Sequence, residues 1–154
     1  VVNDDRRGSE LPLPENVVVA VDAYPGSGSL GGIFPGLQIA NAEWAFVVAC
    51  DMPFLNPALF SRMLEMRRLH DVVVPVLGGR PEPTHALYSK ACLPHMKKRL
   101  QNGKLKITGF FEQVRVRYIA EDDVDRIDPG RLSFFNINTQ EDLDRAKSIL
   151  DTEE

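Results

Sequence analysis

The chain has 154 residues, 44% of them hydrophobic and 26% charged, which is enough for one continuous core and too apolar for a disordered segment. A formal net charge of -4 creates no field that would recruit nucleic acid or an anionic membrane, so any phosphate substrate needs local neutralisation. No apolar run approaches the roughly 20 residues that span a bilayer, and no basic stretch leads into an apolar one, so the expectation is a cytoplasmic protein.

In chain order, Val1-Val2-Asn3 reads as the tail of a strand already under way, with Val in first place rather than Met. Residues 17–21, VVVAV, form an apolar, β-branched run of the kind buried on both faces of a sheet. Asp22 follows, then the turn-rich YPGSGSLGG and a helix over about 33–41. Residues 45–50 form a second buried strand, ended by Asp51-Met52-Pro53. Asn56-Pro57 is an N-cap with Pro at the first helical position, and Leu59, Met63, Met66 and Leu69 keep helical spacing behind it. A third strand, 72–77, runs into Gly78-Gly79; 85–88 is a short strand, and 94–101 a helix closed by Asn102-Gly103. A short helix at 108–113 and a strand at 114–119 come next, followed by EDDVDRID, an acidic stretch read as a solvated loop rather than a metal site. Residues 134–138 form the last strand. Thr139, with Asp142 three positions on, opens a final helix in a capping-box pattern, with Leu143, Ala146 and Leu150 as its apolar face.

Buried strands alternating with helices give an α/β chain: three layers around a mostly parallel sheet, in one domain over 1–154 with no internal repeat or linker. Cys50 and Cys92 lie in no C-x-x-C pair and read as two reduced thiols.

Ligands of open α/β sheets gather at the carboxyl ends of strands, where helix N-termini present their N–H groups. Asp22 and Asp51 both fall at such ends. A carboxylate there suits Mg²⁺, which shares its oxygen ligands with substrate phosphates; the competing role is a turn cap. At Asp51, Met52-Pro53 already shapes the turn and leaves the carboxylate free to point outward. Gly26, Gly28 and Gly31 fit G-x-G-x-x-G, and Asp51 lies 20 residues beyond Gly31, where a dinucleotide fold places its ribose-binding acid. Against that NAD reading, four residues separate the strand from the first glycine, whereas the dinucleotide turn follows its strand directly. Asn136 and Asn138 share one face of an extended segment, with Phe135 and Ile137 turned to the core. They fit hydrogen bonds to a polar heterocycle, a metal-ligating carbonyl, or a polar strand end before the Thr139 cap. His85 is read as a packed histidine, a base or a ligand contact; Lys104 and Lys106 are read as phosphate contacts or solvated surface.

In order along the chain, Asp22 with PGSGSLGGI, then VVACDMPFL, PTHALYS, GKLKI and FFNINTQEDL resemble the molybdenum cofactor guanylyltransferases, the MobA-like family. CDMPFL is shared with other nucleotidyltransferases, whereas FFNINTQEDL marks the molybdopterin branch. The resemblance implies a GT-A-like, Rossmann-related fold that joins GMP from GTP to molybdopterin and releases pyrophosphate. It implies Asp51 as catalytic residue and Mg²⁺ ligand, Asp22, Gly31 and Gly32 along the nucleotide pocket, and Asn136 and Asn138 toward the pterin or the second side of the metal. It sets His85, Lys104 and Lys106 on the pterin side, and implies handover contacts with cofactor-biosynthesis proteins or molybdoenzymes. Alternatives are a CTP-using or sugar-phosphate nucleotidyltransferase and a non-catalytic nucleotide-binding remnant. The family's opening L-A-G-G-x-S-x-R-M-G signature and the lysine after it do not occur in these 154 residues, so the expectation is an N-terminally incomplete domain without guanylyl transfer of its own.

Overall fold

The structure, a computed structural model, describes residues 12–153. The strand tail expected at Val1–Asn3 lies outside the described residues. Among the described residues five strands form the sheet: β1 (Trp44–Val48), β2 (Val72–Leu77), β3 (Arg80–Pro81), β4 (His85–Ser89) and β5 (Val116–Ile119). β2 sits centrally, parallel to β5 on one side and antiparallel to β4 on the other, and β1 pairs antiparallel with β4. β1, β2 and β5 therefore point the same way, with β4 reversed among them. β3 folds back on the end of β2 through Gly78 and Gly79, both at positive φ.

The strand alternation divides the core into two layers. On one face Val72, Val74, Ala86 and Tyr88 pack against α1 (Gly28–Ile39), α3 (Leu93–Gln101) and a 3-10 turn at Ile107–Gln113. On the other, Val73, Leu87 and Ile119 meet α2 (Pro57–Met66) and α4 (Glu121–Ile127). The expected three-layer α/β architecture is thus the observed one, with a mixed sheet in which, among the described residues, β2–β5 is parallel and the other three pairings are antiparallel. Leu59 and Met63 anchor α2 with no exposed surface, each worth about 1.5–3 kcal/mol of burial. Asn56 caps that helix as read, its Oδ1 accepting from Ala58 N and Leu59 N at 2.9 and 3.1 Å. The Thr139 box also forms at α5 (Gln140–Glu153): Asp142 N donates to Thr139 Oγ1 at 3.1 Å, and Thr139 N to Asp142 Oδ2 at 2.9 Å. Among the described residues no helix is long and apolar enough to cross a membrane.

Several expected elements differ. Among the described residues, 17–21 form no ladder: Val21 makes one isolated bridge, and Val17, Val18, Val19 and Val21 are 36–76% exposed. β-branched composition favours extended backbone, but a buried strand also needs a partner on each side. β1 is half-buried rather than buried, because it pairs with β4 alone among the described residues. The first helix begins at Gly28, five residues before the expected start, and runs through the glycines. The acidic stretch is not a loop but α4, whose first turn holds Glu121, Asp122 and Asp123, where acids complement the helix dipole. Residues 134–138 are not a ladder strand: a 3-10 turn at Leu132–Phe134 leads into an extended segment. Leu69 lies beyond α2 at φ 66°, and Leu150 is 53% exposed, so Leu143 and Ala146 alone of the expected residues face α5 inward.

Candidate active site

A groove of about 580 Å³ runs between α1 and β1. Ser29, Gly32, Ile33, Gly36 and Leu37 form its helical wall; residues 45–48, the turn at 49–51 and Thr84 form the other. Asp51 stands at its end, just past the carboxyl end of β1. The turn is held by Ala49 N donating to Thr84 O at 2.9 Å and Met52 N to Ala49 O at 3.1 Å, so main chain shapes it and the Asp51 side chain is spared. Asp51 Oδ1 is shut off from solvent and has no hydrogen-bond partner among the described residues. A buried carboxylate oxygen without a donor is costly, and it fits a hard cation better than a structural cap.

Asp22 takes a different part. It is buried, and its Oδ1 accepts from Tyr24 N at 2.7 Å, an Asx turn leading into α1. Its Oδ2 lies against Gly31, where a Cβ would sit 2.9 Å from Ser27 Cβ, 3.1 Å from Asp22 Oδ2 and 3.2 Å from Tyr24 O. Gly31 is therefore required by close approach, whereas a Cβ on its neighbour Gly32, which lines the groove, meets nothing within 4 Å. Ser27 makes no side-chain cap and the first turn of α1 holds no acid, so its N-terminal N–H groups keep their affinity for an anion.

The carboxyl-terminal segment reaches the same place by a main-chain bond: Ile137 N donates to Asp51 O at 2.8 Å. Asn136 and Asn138 are exposed, with Phe135 and Ile137 half-buried between them, so the alternation expected of a strand survives without the ladder. Phe135 contacts Phe54, its ring 5.9 Å away, and Arg145, 5.3 Å from its centroid.

His85 does not face the groove. It is 1% exposed, opposite Val48 in the sheet, with ring centroids of Phe46 and Phe134 at 5.0 and 4.5 Å. Burial pushes its pKa down to about 4, against a smaller opposing pull from the Asp128 charge, so it is a neutral core residue at physiological pH. The expected ligand contact is corrected accordingly: a ring enclosed by two aromatics has no open side. Lys104 and Lys106 are exposed, and Lys106 borders a separate hollow with Arg80, Pro81 and Thr108. Neither lysine lines the groove beside Asp51. Ser29, Gly36 and Thr84 line the groove without having been singled out in sequence; only their place next to predicted turns could have marked them. Cys50 is an exposed thiol in the groove wall, and Cys92 a buried one with its pKa pushed up to about 12, chiefly by burial. Among the described residues no three His, Cys, Asp or Glu side chains cluster as metal ligands.

Residues 1–116 match the family described as the MobA-like NTP transferase domain. The chain belongs to that family. This MobA-like domain is 40% identical over 136 residues to a molybdenum cofactor guanylyltransferase of Desulfosudis oleivorans, covering 88% of this chain and 67% of the relative. It is 38% identical to a probable molybdenum cofactor guanylyltransferase of Pelotomaculum thermopropionicum, covering 84% and 63% respectively, so the chain spans about two thirds of the length of these relatives. Its fold is similar to the crystal structure of molybdopterin-guanine dinucleotide biosynthesis protein A from Archaeoglobus fulgidus, with a TM-score of 0.82 at 28% identity over 98% of this chain and 77% of the other. In the MobA-like domain the glycine run is the opening of α1 rather than a dinucleotide turn, with Gly26 and Gly28 at positive φ before and at the helix start.

Proposed function

We propose that this domain contributes to the transfer of GMP from GTP to molybdopterin, with the triphosphate held in the groove between α1 and β1. The observation that carries this reading is the buried, unpartnered Asp51 Oδ1 beside the N-terminal turns of α1. A lone carboxylate suits Mg²⁺, which keeps most of its shell for waters and phosphate oxygens. When bound, Mg²⁺ would supply positive charge to the phosphates at Asp51. The N–H groups of the first turn of α1 would orient the triphosphate, with Gly32 leaving the wall open beside it. Asn136 and Asn138, exposed on the segment tied to Asp51, would face the pterin or the second side of the metal.

In the reaction a phosphate oxygen of molybdopterin attacks the α-phosphorus of GTP in line. One P–O bond forms, the bond to the bridging oxygen breaks, and pyrophosphate leaves with its electron pair. Nucleophile and leaving group are both phosphates, so little proton transfer is needed and the chemistry rests on alignment and charge. A neutral, enclosed His85 agrees with a site that uses no histidine base. The same reading makes the protein a cytoplasmic enzyme that passes its product toward molybdoenzymes. The test is transfer of label from α-labelled GTP to molybdopterin by the full-length gene product. Label should reach the dinucleotide in a metal-dependent way and be lost with Asp51→Ala; full transfer by the Asp51→Ala protein would overturn the proposal.

A further inference from the structure

Behind the groove, the end of α4 holds a buried cluster that the transfer chemistry leaves unused. Asp128 is 6% exposed and Ser133 1%. Asp128 Oδ2 accepts from Ser133 N at 3.0 Å and from Ser133 Oγ at 2.5 Å, and its Oδ1 accepts from Leu132 N at 3.2 Å. Its main-chain N donates to Val124 O at 2.8 Å, and its carbonyl accepts from Arg131 N at 2.8 Å. The carboxylate thus welds the Leu132–Phe134 turn onto the end of α4 with three charge-assisted hydrogen bonds. Phe134 then packs on His85, and three residues later Ile137 N meets Asp51 O.

Among the described residues the extended segment has no ladder partner, and it is held by Phe135 N donating to Leu132 O at 3.0 Å and by the contacts of the Phe135 ring with Phe54 and Arg145. Upstream stands the Asp128 turn and downstream the Thr139 capping box, where Asn138 N also donates to Asp142 Oδ2 at 3.1 Å; between them Ile137 N is tied to Asp51 O.

We propose that Asp128 and Ser133 are positioning residues which, through the Leu132–Phe134 turn and the Ile137–Asp51 hydrogen bond, set where Asn136 and Asn138 stand relative to the Asp51 carboxylate. The proposal rests on the reading of the groove as a metal–nucleotide site.

Its test compares Asp128→Asn and Ser133→Ala with Asp71→Asn, a control that weakens a distant ion pair, in the full chain. Two quantities are read: amide hydrogen exchange at Ile137, corrected for global stability, and Mn²⁺ affinity in the presence of GTP. Loss of one buried charge-assisted bond should raise exchange at Ile137 about tenfold in both cluster variants and leave it unchanged in Asp71→Asn. Mn²⁺–GTP affinity should fall several-fold in the cluster variants and hold in the control. Should Asp128→Asn not fold, Ser133→Ala still decides, since it removes one donor and keeps both backbone bonds. Unchanged exchange at Ile137, or an equal rise in the control, would overturn the mechanical tie. Faster exchange with unchanged Mn²⁺–GTP affinity would overturn the positioning role. A wild-type chain that binds no Mn²⁺–GTP, yet shows the exchange effect, would overturn the reading of the groove and with it the role, leaving the tie itself intact.

Discussion

Gly31 and Gly32 are adjacent in one helix, yet replacing each by Ala should move stability in opposite directions. A Cβ at Gly31 would stand 2.9 Å from Ser27 Cβ and 3.2 Å from the main-chain oxygen of Tyr24, neither of which can swing aside like the tip of a long side chain. Overpacking of this kind costs about 1–3 kcal/mol, against the roughly 1 kcal/mol that Ala gains over Gly in a helix. The net expectation for Gly31→Ala is a loss of up to about 2 kcal/mol, combining those two figures. At Gly32 the clash is missing, so the helix gain alone remains, up to about 1 kcal/mol in favour of Ala. Urea unfolding followed by circular dichroism would measure both, with unchanged slopes showing that the two variants unfold from like states. For a domain of this size each kcal/mol should appear as about 2–4 °C in Tm. If Gly31→Ala were as stable as the wild type, the packing of Asp22 and Tyr24 against α1 would not be as described, and the helix would lose its fixed position beside Asp51.

Other outcomes follow from particular side chains. Asp71 accepts from Arg115 N at 2.9 Å and from its guanidinium at 2.9 and 2.7 Å, and the side-chain bond to Arg115 holds its pKa below the usual carboxylate value. Its contribution should be present above the unfolded carboxylate pKa and fade as pH falls through the lower folded value; Asp71→Asn should flatten that acid limb in denaturant titrations. His85 has its folded pKa depressed to about 4 from 6.5, so the unfolded chain takes up a proton first, and stability should fall as pH drops from 6.5 toward 4. His85→Phe should remove that slope, which approaches about 1.4 kcal/mol per pH unit for one proton, and a slope equal to that of the wild type would contradict the buried neutral ring. Cys50 should react with a thiol reagent in the native protein and be slowed by GTP with a divalent cation, whereas Cys92 should react only on unfolding.

The helices with strong local punctuation were legible in the sequence. Asn56-Pro57 and Thr139 with Asp142 carry caps whose hydrogen bonds form between near neighbours, so no tertiary information is needed to read them. The buried β2 was equally plain, since an apolar run flanked on both sides by strands has little choice of environment. What escaped was pairing. Residues 17–21 have the composition of a central strand and the exposure of an edge, and 134–138 alternate like a strand while making one main-chain bond to Asp51. Composition reports what backbone a segment tolerates, and pairing depends on what lies beside it.

Asp51 was singled out from its place at a strand end, with a turn cap as the competing role, and it lines the groove with Oδ1 unpartnered among the described residues. Asp22 was singled out for the same reason, yet its Oδ1 accepts from Tyr24 N and its Oδ2 lies against Gly31, a difference from Asp51 that depends on how α1 packs. His85 carried three readings, a packed histidine, a base or a ligand contact, and the resemblance set it on the pterin side; Phe46 and Phe134, from distant parts of the chain, close over it as a packed residue. The hold of Asp128 on Ser133 was hidden because α4 was read as a solvated loop.

The most direct measurement of the central claim is Mn²⁺ binding to the wild-type domain and to Asp51→Ala, with and without GTP, by water-proton relaxation. The wild type should bind Mn²⁺ more tightly when GTP is present, and Asp51→Ala should lose that binding while keeping its circular dichroism and unfolding midpoint. Equal Mn²⁺–GTP binding by the two folded proteins would contradict the assignment of Asp51 as the metal ligand of the groove.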